Sequence, residues 1–408
     1  MPGRVFILGA GASHEDTKHT ALAMPLANDF FLSEYLNHGW PIDYGIPKFT
    51  ESNLATILSC YFRIEFEIVG NKIRSSKSVN IEEVLTFLEN YENVYLSASH
   101  QTDIFLRAKK ELLSYIHDVI LHTPSHGSPE FLRRLSNSKT EASLKKKETK
   151  RSAAAFKFHN KILSTLTGKD SVITFNWDLI ADSVLLANNK DHYFNLRDQL
   201  LNPFSPSSRG GRDLGYFSGD ELHQGYYLKL HGSVNMACCI NKECARHQFP
   251  ILLDEFEAET PHLYFCNLCY GPLEILILPP LINKSFRANR FFKLQAGIAA
   301  HKLQIATEVI VIGYSFPWFD FEANSFMRLT RLEPRKEVED EETFLEKIII
   351  VNPQVRDGEY VRRVTDLFGI AHSRDLHGHE VDLVLYATIS DFVDNYVERT
   401  RKTAKRGQ

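Results

Sequence analysis

The sequence predicts an α/β fold: a mostly parallel sheet with a helical insertion after its first strand and a small cysteine-rich module. Three observations predict it. Short apolar, β-branched runs recur along the chain, each closed by Gly, Asn, Pro or His. Helix-period stretches lie between the later runs, and strands alternating with helices imply parallel pairing with right-handed crossovers. Five of the six cysteines fall between Cys238 and Cys269.

The elements follow in order. "RVFILGAGAS" reads as a buried strand, Val5 to Leu8, entering a turn of small residues. From about residue 26 to 166 the pattern changes to helical spacing, in "NIEEVLTFLENYENVYL", "IFLRAKKELLSYIHDVIL" and "AAAFKFHNKILSTL", with few convincing strands. Further strands are expected at "SVITFN" (Ser171 to Asn176), "YYLKLH" (Tyr226 to His231), "EVIVIGYS" (Glu308 to Ser315) and "KIIIVNP" (Lys347 to Pro353). Helices are expected at Phe291 to Ala306 and Phe321 to Leu332. The expected organisation is the sheet-bearing α/β domain over 1–25 and 167–390, the helical insertion over 26–166, a cysteine-rich module over 236–275 within that domain, and a basic tail over 391–408. The polar, mostly basic stretch Ser136 to Arg151 reads as a solvated, mobile linker, with a nucleic-acid or partner-docking patch as the alternative. The tail reads as a frayed terminus rather than a binding arm.

Charge and composition exclude some classes. With 47 Lys and Arg against 51 Asp and Glu, the formal net charge is −4 over 408 residues, which carries no global signature of nucleic-acid or membrane binding. No direct nucleic-acid partner is expected. The apolar run near Met1 is short and Gly-rich, unlike a signal peptide. No run of about 20 apolar residues occurs, so no spanning helix and a cytoplasmic location are expected. Clustered cysteines suit metal binding in a reducing compartment better than a disulfide framework.

The ends of the strands carry the chemistry. In a doubly wound sheet the loops at the carboxyl edge meet the ligand. In "GAGAS", Gly9 to Ser13, glycines would let backbone amides approach a phosphate, and a following helix N-terminus would add favourable partial charge. In "TFNWD", Asn176 both donates and accepts while Asp178 only accepts, a pairing suited to ribose hydroxyls or a carboxamide. Asp178 also suits the cap of a helix starting near Leu179, and both can hold. "LHGS" delivers His231 to the same edge, where the bland alternative is a histidine that merely ends a strand. "GYS" and "VNP" close the later strands. Together these ends describe a dinucleotide pocket, with candidate ligand contacts at Gly9, Ala10, Gly11, Ala12, Ser13, Thr174, Gly313, Tyr314, Ser315 and Asn352. The cysteines offer Cys239, Cys244, Cys266 and Cys269, with Cys238 or His247 as substitutes, for a closed tetrahedral zinc site of structural type.

In this order, "GAGAS", "TFNWD", "LHGS", the cysteine cluster, "GYS" and "VN" resemble sirtuin-like proteins, which bind NAD between a Rossmann-like sheet and a smaller module. The resemblance covers Val5 to Ser13 and about Ser171 to Pro353, not the insertion. It implies Ala10, Gly11 and Ser13 in a phosphate loop, Asn176 and Asp178 around the nicotinamide ribose, and His231 as the catalytic histidine. It further implies Gly313 and Ser315 near the phosphates and Asn352 near the adenosine ribose. The first cysteine pair departs from the family's usual C-x-x-C, being spaced by four residues.

The departures suggest which reaction. Where sirtuin deacetylases carry F-G-E after the zinc module, this chain has "LILPPLINKS" (Leu276 to Ser285), and "AMPLANDFF" (Ala23 to Phe31) replaces their F-R pair. Both changes remove protein-substrate features and leave the NAD pocket. The resemblance thus points to the defence-associated bacterial branch, in which water attacks and NAD is hydrolysed to nicotinamide and ADP-ribose. That branch implies homo-oligomers and a partner such as a HerA-type ATPase or a short Argonaute. The alternatives are an NAD or ADP-ribose sensor within a defence complex and an NAD-dependent protein deacylase.

Overall fold

Apolar, mostly β-branched runs free of internal glycine and proline form the central strands. The computed structural model describes residues 3–20, 22–39, 48–70, 72–95, 102–123, 156–188, 225–252, 265–278, 290–317, 320, 323–325, 327–328, 345–370 and 380–400. The first half of the chain holds β1 (Arg4–Leu8), α1 (Ala10–Thr17), α2 (Ser33–Gly39), α3 (Asn53–Phe62), the pair β2 (Phe66–Val69) and β3 (Lys72–Ser75), α4 (Ile81–Tyr95), α5 (Thr102–His122) and α6 (Lys157–Leu163). The second holds β4 (Ser171–Thr174), α7 (Ile180–Ala187), β5 (Tyr227–Lys229), β6 (Gly232–Cys239), β7 (Ile251–Leu252), β8 (Leu273–Ile277), α8 (Arg290–Ile305), β9 (Glu308–Ile312), β10 (Lys347–Val351), α9 (Gly358–Leu367) and β11 (Asp382–Tyr386).

Six strands make one sheet in the order β11-β10-β9-β1-β4-β5, with every neighbouring pair parallel. Counted along the chain, these strands lie 6-5-4-1-2-3, the doubly wound Rossmann-type order. The order reverses at β1, which pairs with β4 on one side and β9 on the other. The carboxyl end of β1 is therefore the topological switch point.

Alternation along each strand divides the core in two. Val5 and Ile7 of β1, Val309 and Val311 of β9, and Ile348 and Ile350 of β10 face one layer, packed with Phe291, Ile298 and Leu303 of α8 and Tyr360 and Val364 of α9. Phe6 and Leu8, Ile310 and Ile312, and Ile349 and Val351 face the other, in a core continuous with Phe31, Leu85, Leu112 and Ile116 of the insertion. Each such fully buried side chain contributes roughly 1.5–3 kcal/mol. The insertion thus shares the sheet's core instead of standing apart from it. Among the described residues no helix is long and apolar enough to cross a membrane.

Several features differ from the sequence expectation. The insertion contains an antiparallel pair, β2 with β3, mostly exposed, whose short apolar face of Phe66, Ile68 and Ile73 packs Phe66 and Ile73 against the core. The strand expected over Tyr226 to His231 is only Tyr227–Lys229, because the chain turns at Leu230 and His231. An edge strand not anticipated, β11, completes the sheet. Ser136 to Arg151, residues 401–408 and most of Phe321 to Leu332 lie outside the described residues.

Candidate functional site

The loops following β1, β4, β5, β9, β10 and β11 open onto one cleft of about 620 Å³. Ala10, Gly11, Asn176, Asp178, His231, Gly313, Tyr314, Ser315 and Asn352 line it. Gly9, Ala12, Ser13 and Thr174 stand behind that lining, and what they do there follows from their contacts.

Asn176 is oriented from behind. Its Nδ2 donates to the Gly9 carbonyl at 3.0 Å and to the Ser13 hydroxyl at 3.1 Å. A carbonyl can only accept, so this pair fixes which end of the amide is nitrogen. The Oδ1 is left as the atom for a ligand. Thr174 sets the backbone beneath, its hydroxyl accepting from the Asn176 amide at 3.1 Å. Ser13 is wholly buried and Ala12 nearly so.

Asp178 accepts from the Ile180 amide at 2.9 Å, tying it to the start of α7 as well as to the cleft. A buried ion pair braces this loop: Lys229 Nζ lies 2.9 Å from Asp182 Oδ2, which also accepts from the Tyr227 hydroxyl at 2.7 Å. The same Nζ donates to the Asp178 carbonyl.

His231 sits in the turn between β5 and β6, 4% exposed, its ring edge-on to Phe175 at 4.9 Å. Gly232 makes that turn with φ of +76°, and a Cβ there would lie 2.0 Å from the Leu276 carbonyl, so only glycine fits. The His231 carbonyl accepts from Leu278 at 2.9 Å. The end of β8 thereby anchors the histidine. Its Nε2 lies 3.4 Å from Asp320 Oδ2, and Tyr314 donates its hydroxyl to that same oxygen at 2.6 Å. Burial, reinforced by Asp320, pushes the Tyr314 phenol well above its ordinary range and keeps it a donor. Asp320 lines the cleft and was not among the residues singled out from sequence; the acidic end of "GYSFPWFD" was the only signal for it.

The glycine loop works differently from its sequence reading. The Gly9 and Gly11 amides donate to the carbonyls of Ile312 and Gly313, each at 3.0 Å, and so are engaged within the protein. The missing side chains instead let two loops touch: a Cβ on Gly11 would lie 2.9 Å from the Gly313 oxygen. Ala10, exposed at the first turn of α1 and without a side-chain cap from Gly9, presents the helix N-terminus to the cleft. Asn352 also serves the framework, its Oδ1 accepting from Gln354 at 2.9 Å and its Nδ2 donating to the Tyr314 carbonyl at 3.3 Å. Ser315 is exposed, and Arg363 donates to its carbonyl at 2.9 Å.

The insertion supplies a wall of the cleft. Met24 to Asn28 and Phe30 from the segment after α1, Asn80 to Glu82 at the start of α4, and Ile120 of α5 all line it, beside His14 and Glu15 of α1 and Lys18 at its C-cap. Nothing in the local sequence marked these as a ligand wall.

The four cysteines Cys239, Cys244, Cys266 and Cys269 place their sulfurs within 4.8 Å of one another. Tetrahedral Zn–S bonds of about 2.3 Å imply S···S edges of roughly 3.8 Å, so the donor set fits zinc. Cys239 and Cys269 are 3.4 Å apart and Cys244 and Cys266 3.6 Å. Leu268 and Gly271 donate backbone amides to Cys266 and Cys269, each at 3.4 Å, and the Gly271 amide brings the Cys269 thiol down to about 7, while burial pushes the Cys239 and Cys244 thiols up. Cys238 is outside the group, and His247 directs Nδ1 to the Cys239 carbonyl at 2.8 Å. Four sulfurs would close the coordination sphere, leaving no catalytic position.

Fold and cleft together define a doubly wound α/β protein with a cleft at its switch point and a four-cysteine module that could hold zinc. No protein-family model matches the chain. No curated protein matches it either. Among solved structures it is similar to a sirtuin studied for substrate affinity, at 12% identity over 60% of this chain and 71% of that one, with a TM-score of 0.29. A Sir2 mutant with a p53 peptide and NAD is similar at 12% identity over 60% and 70%, TM-score 0.29. A structure addressing the mechanism and regulation of Sir2 enzymes is similar at 14% identity over 68% and 86%, TM-score 0.28.

Proposed function

We propose that the chain is an NAD hydrolase that cleaves the bond between nicotinamide and ribose. The observation that carries this reading is the meeting of Asn176 and His231 in one cleft at the switch point of the sheet, where dinucleotides bind in this architecture. Nicotinamide leaves as a neutral molecule while positive charge grows on the ribose, so the cleft has to stabilise an oxocarbenium-like state, as glycosidases do. Asn176 Oδ1 orients a ribose hydroxyl or the attacking water. His231 removes a proton from water or a ribose hydroxyl, a contribution of roughly 100- to 10,000-fold. Asp178 supports the ribose without acting as nucleophile. The products are nicotinamide, ADP-ribose and one proton for each water consumed. The biological setting we infer is NAD depletion in antiphage defence, in a homo-oligomer triggered through a HerA-type ATPase or a short Argonaute.

The test is to incubate the purified full chain with NAD, alone and with such a partner, and to measure nicotinamide and ADP-ribose. Release by the wild type and its loss in Asn176→Ala are expected. Release only when an acylated peptide is present would replace hydrolysis by deacylation. Tight binding without turnover would make the chain a sensor.

A further inference from the structure

We infer that Asp320 is the positioning residue for His231, holding the imidazole by its Nε2 edge while Tyr314 holds the carboxylate. The inference rests on the reading of the cleft as the site of NAD cleavage. Three observations carry it. The carboxylate oxygen Oδ2 lies 3.4 Å from His231 Nε2 and accepts from the Tyr314 hydroxyl at 2.6 Å. Asp320 is itself 2% exposed, and its Oδ1 accepts from the Ala323 amide at 3.3 Å, so neither oxygen is at liberty to swing away. Two rings flank the pair and pack on each other: Phe175 is stacked on Tyr314 at 4.3 Å and meets His231 edge-on at 4.9 Å.

The chemistry follows from the partners. A neutral imidazole carries one N–H, and a carboxylate beside Nε2 favours the tautomer protonated there, which leaves Nδ1 as the basic nitrogen. When that nitrogen takes a proton from water or a ribose hydroxyl, the imidazolium that results faces a fixed negative charge in a buried setting, where such an interaction is strong. Tyr314 keeps that charge in place by donating to it. A base, a carboxylate that orients it and a donor that orients the carboxylate form a chain of the kind that general-base sites use. Asp320 touches the reaction only through His231.

The test uses the full chain with Asp320→Asn. It reads NAD cleavage as kcat and KM separately, and follows the His231 imidazole by NMR as a function of pH, identified as the resonance lost in His231→Gln. Besides Asp320 and Tyr314 from the loop after β9, the titratable groups sharing the cleft are His14 and Glu15 of α1, Lys18 at its C-cap, Glu82 of α4 and Asp178 after β4. None of these is altered by the substitution. The expected result is a fall in kcat of about 100-fold or more with KM changed less than about threefold, and a His231 titration midpoint lower by about one pH unit, since an ionised neighbour favours the imidazolium. A kcat within threefold of wild type, or a lower kcat with an unmoved midpoint, overturns the inference. If the wild type does not cleave NAD, the function reading fails and the NMR arm alone decides: a lowered midpoint sustains the Asp320 pairing, an unmoved one ends it. Should Asp320→Asn fail to fold, Tyr314→Phe keeps the ring on Phe175 and removes only the hydroxyl. A fivefold or greater loss of kcat at unchanged KM then supports the chain of contacts, and no loss overturns it.

Discussion

Asn176 reaches back 163 residues along the chain to place its Nδ2 at 3.1 Å from the Ser13 hydroxyl. Two residues that sequence reading assigned to separate ligand contacts are thereby one unit, a cleft-lining amide and the buried hydroxyl that aims it. Because β1 and β4 are paired in register, Leu8 beside Thr174, the residues just beyond their ends meet across the sheet's edge.

Ser13→Ala is accordingly expected to lower kcat/KM for NAD by about fivefold, since a net hydrogen bond contributes about 1 kcal/mol and the Gly9 carbonyl still holds the amide. Asn176→Asp should cost far more, because an oxygen would then face the Gly9 carbonyl. Steady-state kinetics on the two variants give the order; a Ser13→Ala enzyme more impaired than Asn176→Asp contradicts it.

Two glycines should respond oppositely to alanine. Gly313 has φ of +63°, and an added Cβ would lie 2.2 Å from the Ala12 nitrogen, so Gly313→Ala should destabilise by about 2 kcal/mol or more. Gly297, exposed within α8, would meet nothing within 4 Å. Gly297→Ala should stabilise by about 0.5–1 kcal/mol. Denaturant titration of each variant reads the sign directly.

The cysteine module is expected to bind one zinc per chain, measurable by elemental analysis. Cys266→Ser or chelation should lower the melting temperature. Turnover should fall as well, because β6 and β8 close the turn that carries His231 and Leu278 donates to its carbonyl. Full NAD cleavage in a zinc-free, folded protein would separate module from site.

Acid stability should depend on Asp16. Burial works to raise its carboxyl, but the hydrogen bond and charge of His159, at 2.8 Å, together with the Phe158 and His159 amides, outweigh burial and bring it below the ordinary 3.8. A depressed folded value means that the contribution is complete above the unfolded value and disappears as pH falls through the folded one. Wild type should therefore lose stability relative to Asp16→Asn as pH drops below about 4. Equal pH dependence of the two unfolding curves would refute the linkage.

Sequence periodicity located β1, β4, β9 and β10 because these strands are covered on both faces, and double burial leaves an uninterrupted apolar run. It passed over the pair β2 with β3 because Glu67, Lys72 and Arg74 break up their short apolar runs; β11, "DLVLY", is apolar after Asp382 and carries the same strand pattern as its neighbours, which the periodicity reading left out. The carboxyl-edge loops were legible for the same reason as the strands: Gly, Asn and Ser punctuate the ends of apolar runs. Cys239, Cys244, Cys266 and Cys269 stood out by clustering, while their selection over Cys238 and His247 needed coordinates.

The sequence alone thus determined the α/β class, the edge on which Asn176, His231 and Gly313 are presented, and the cysteine-rich module. Tertiary structure alone decided that Ser13 and Thr174 aim Asn176, that the amides of Gly9 and Gly11 are engaged with the β9 loop, that the insertion walls the cleft, and that Asp320 faces His231. The physical reason is that local patterning reports how a residue is buried. Which atoms meet across the sheet's edge depends on how β1, β4 and β9 are ordered, and that order is settled only when both cores pack against the two faces of the sheet at once.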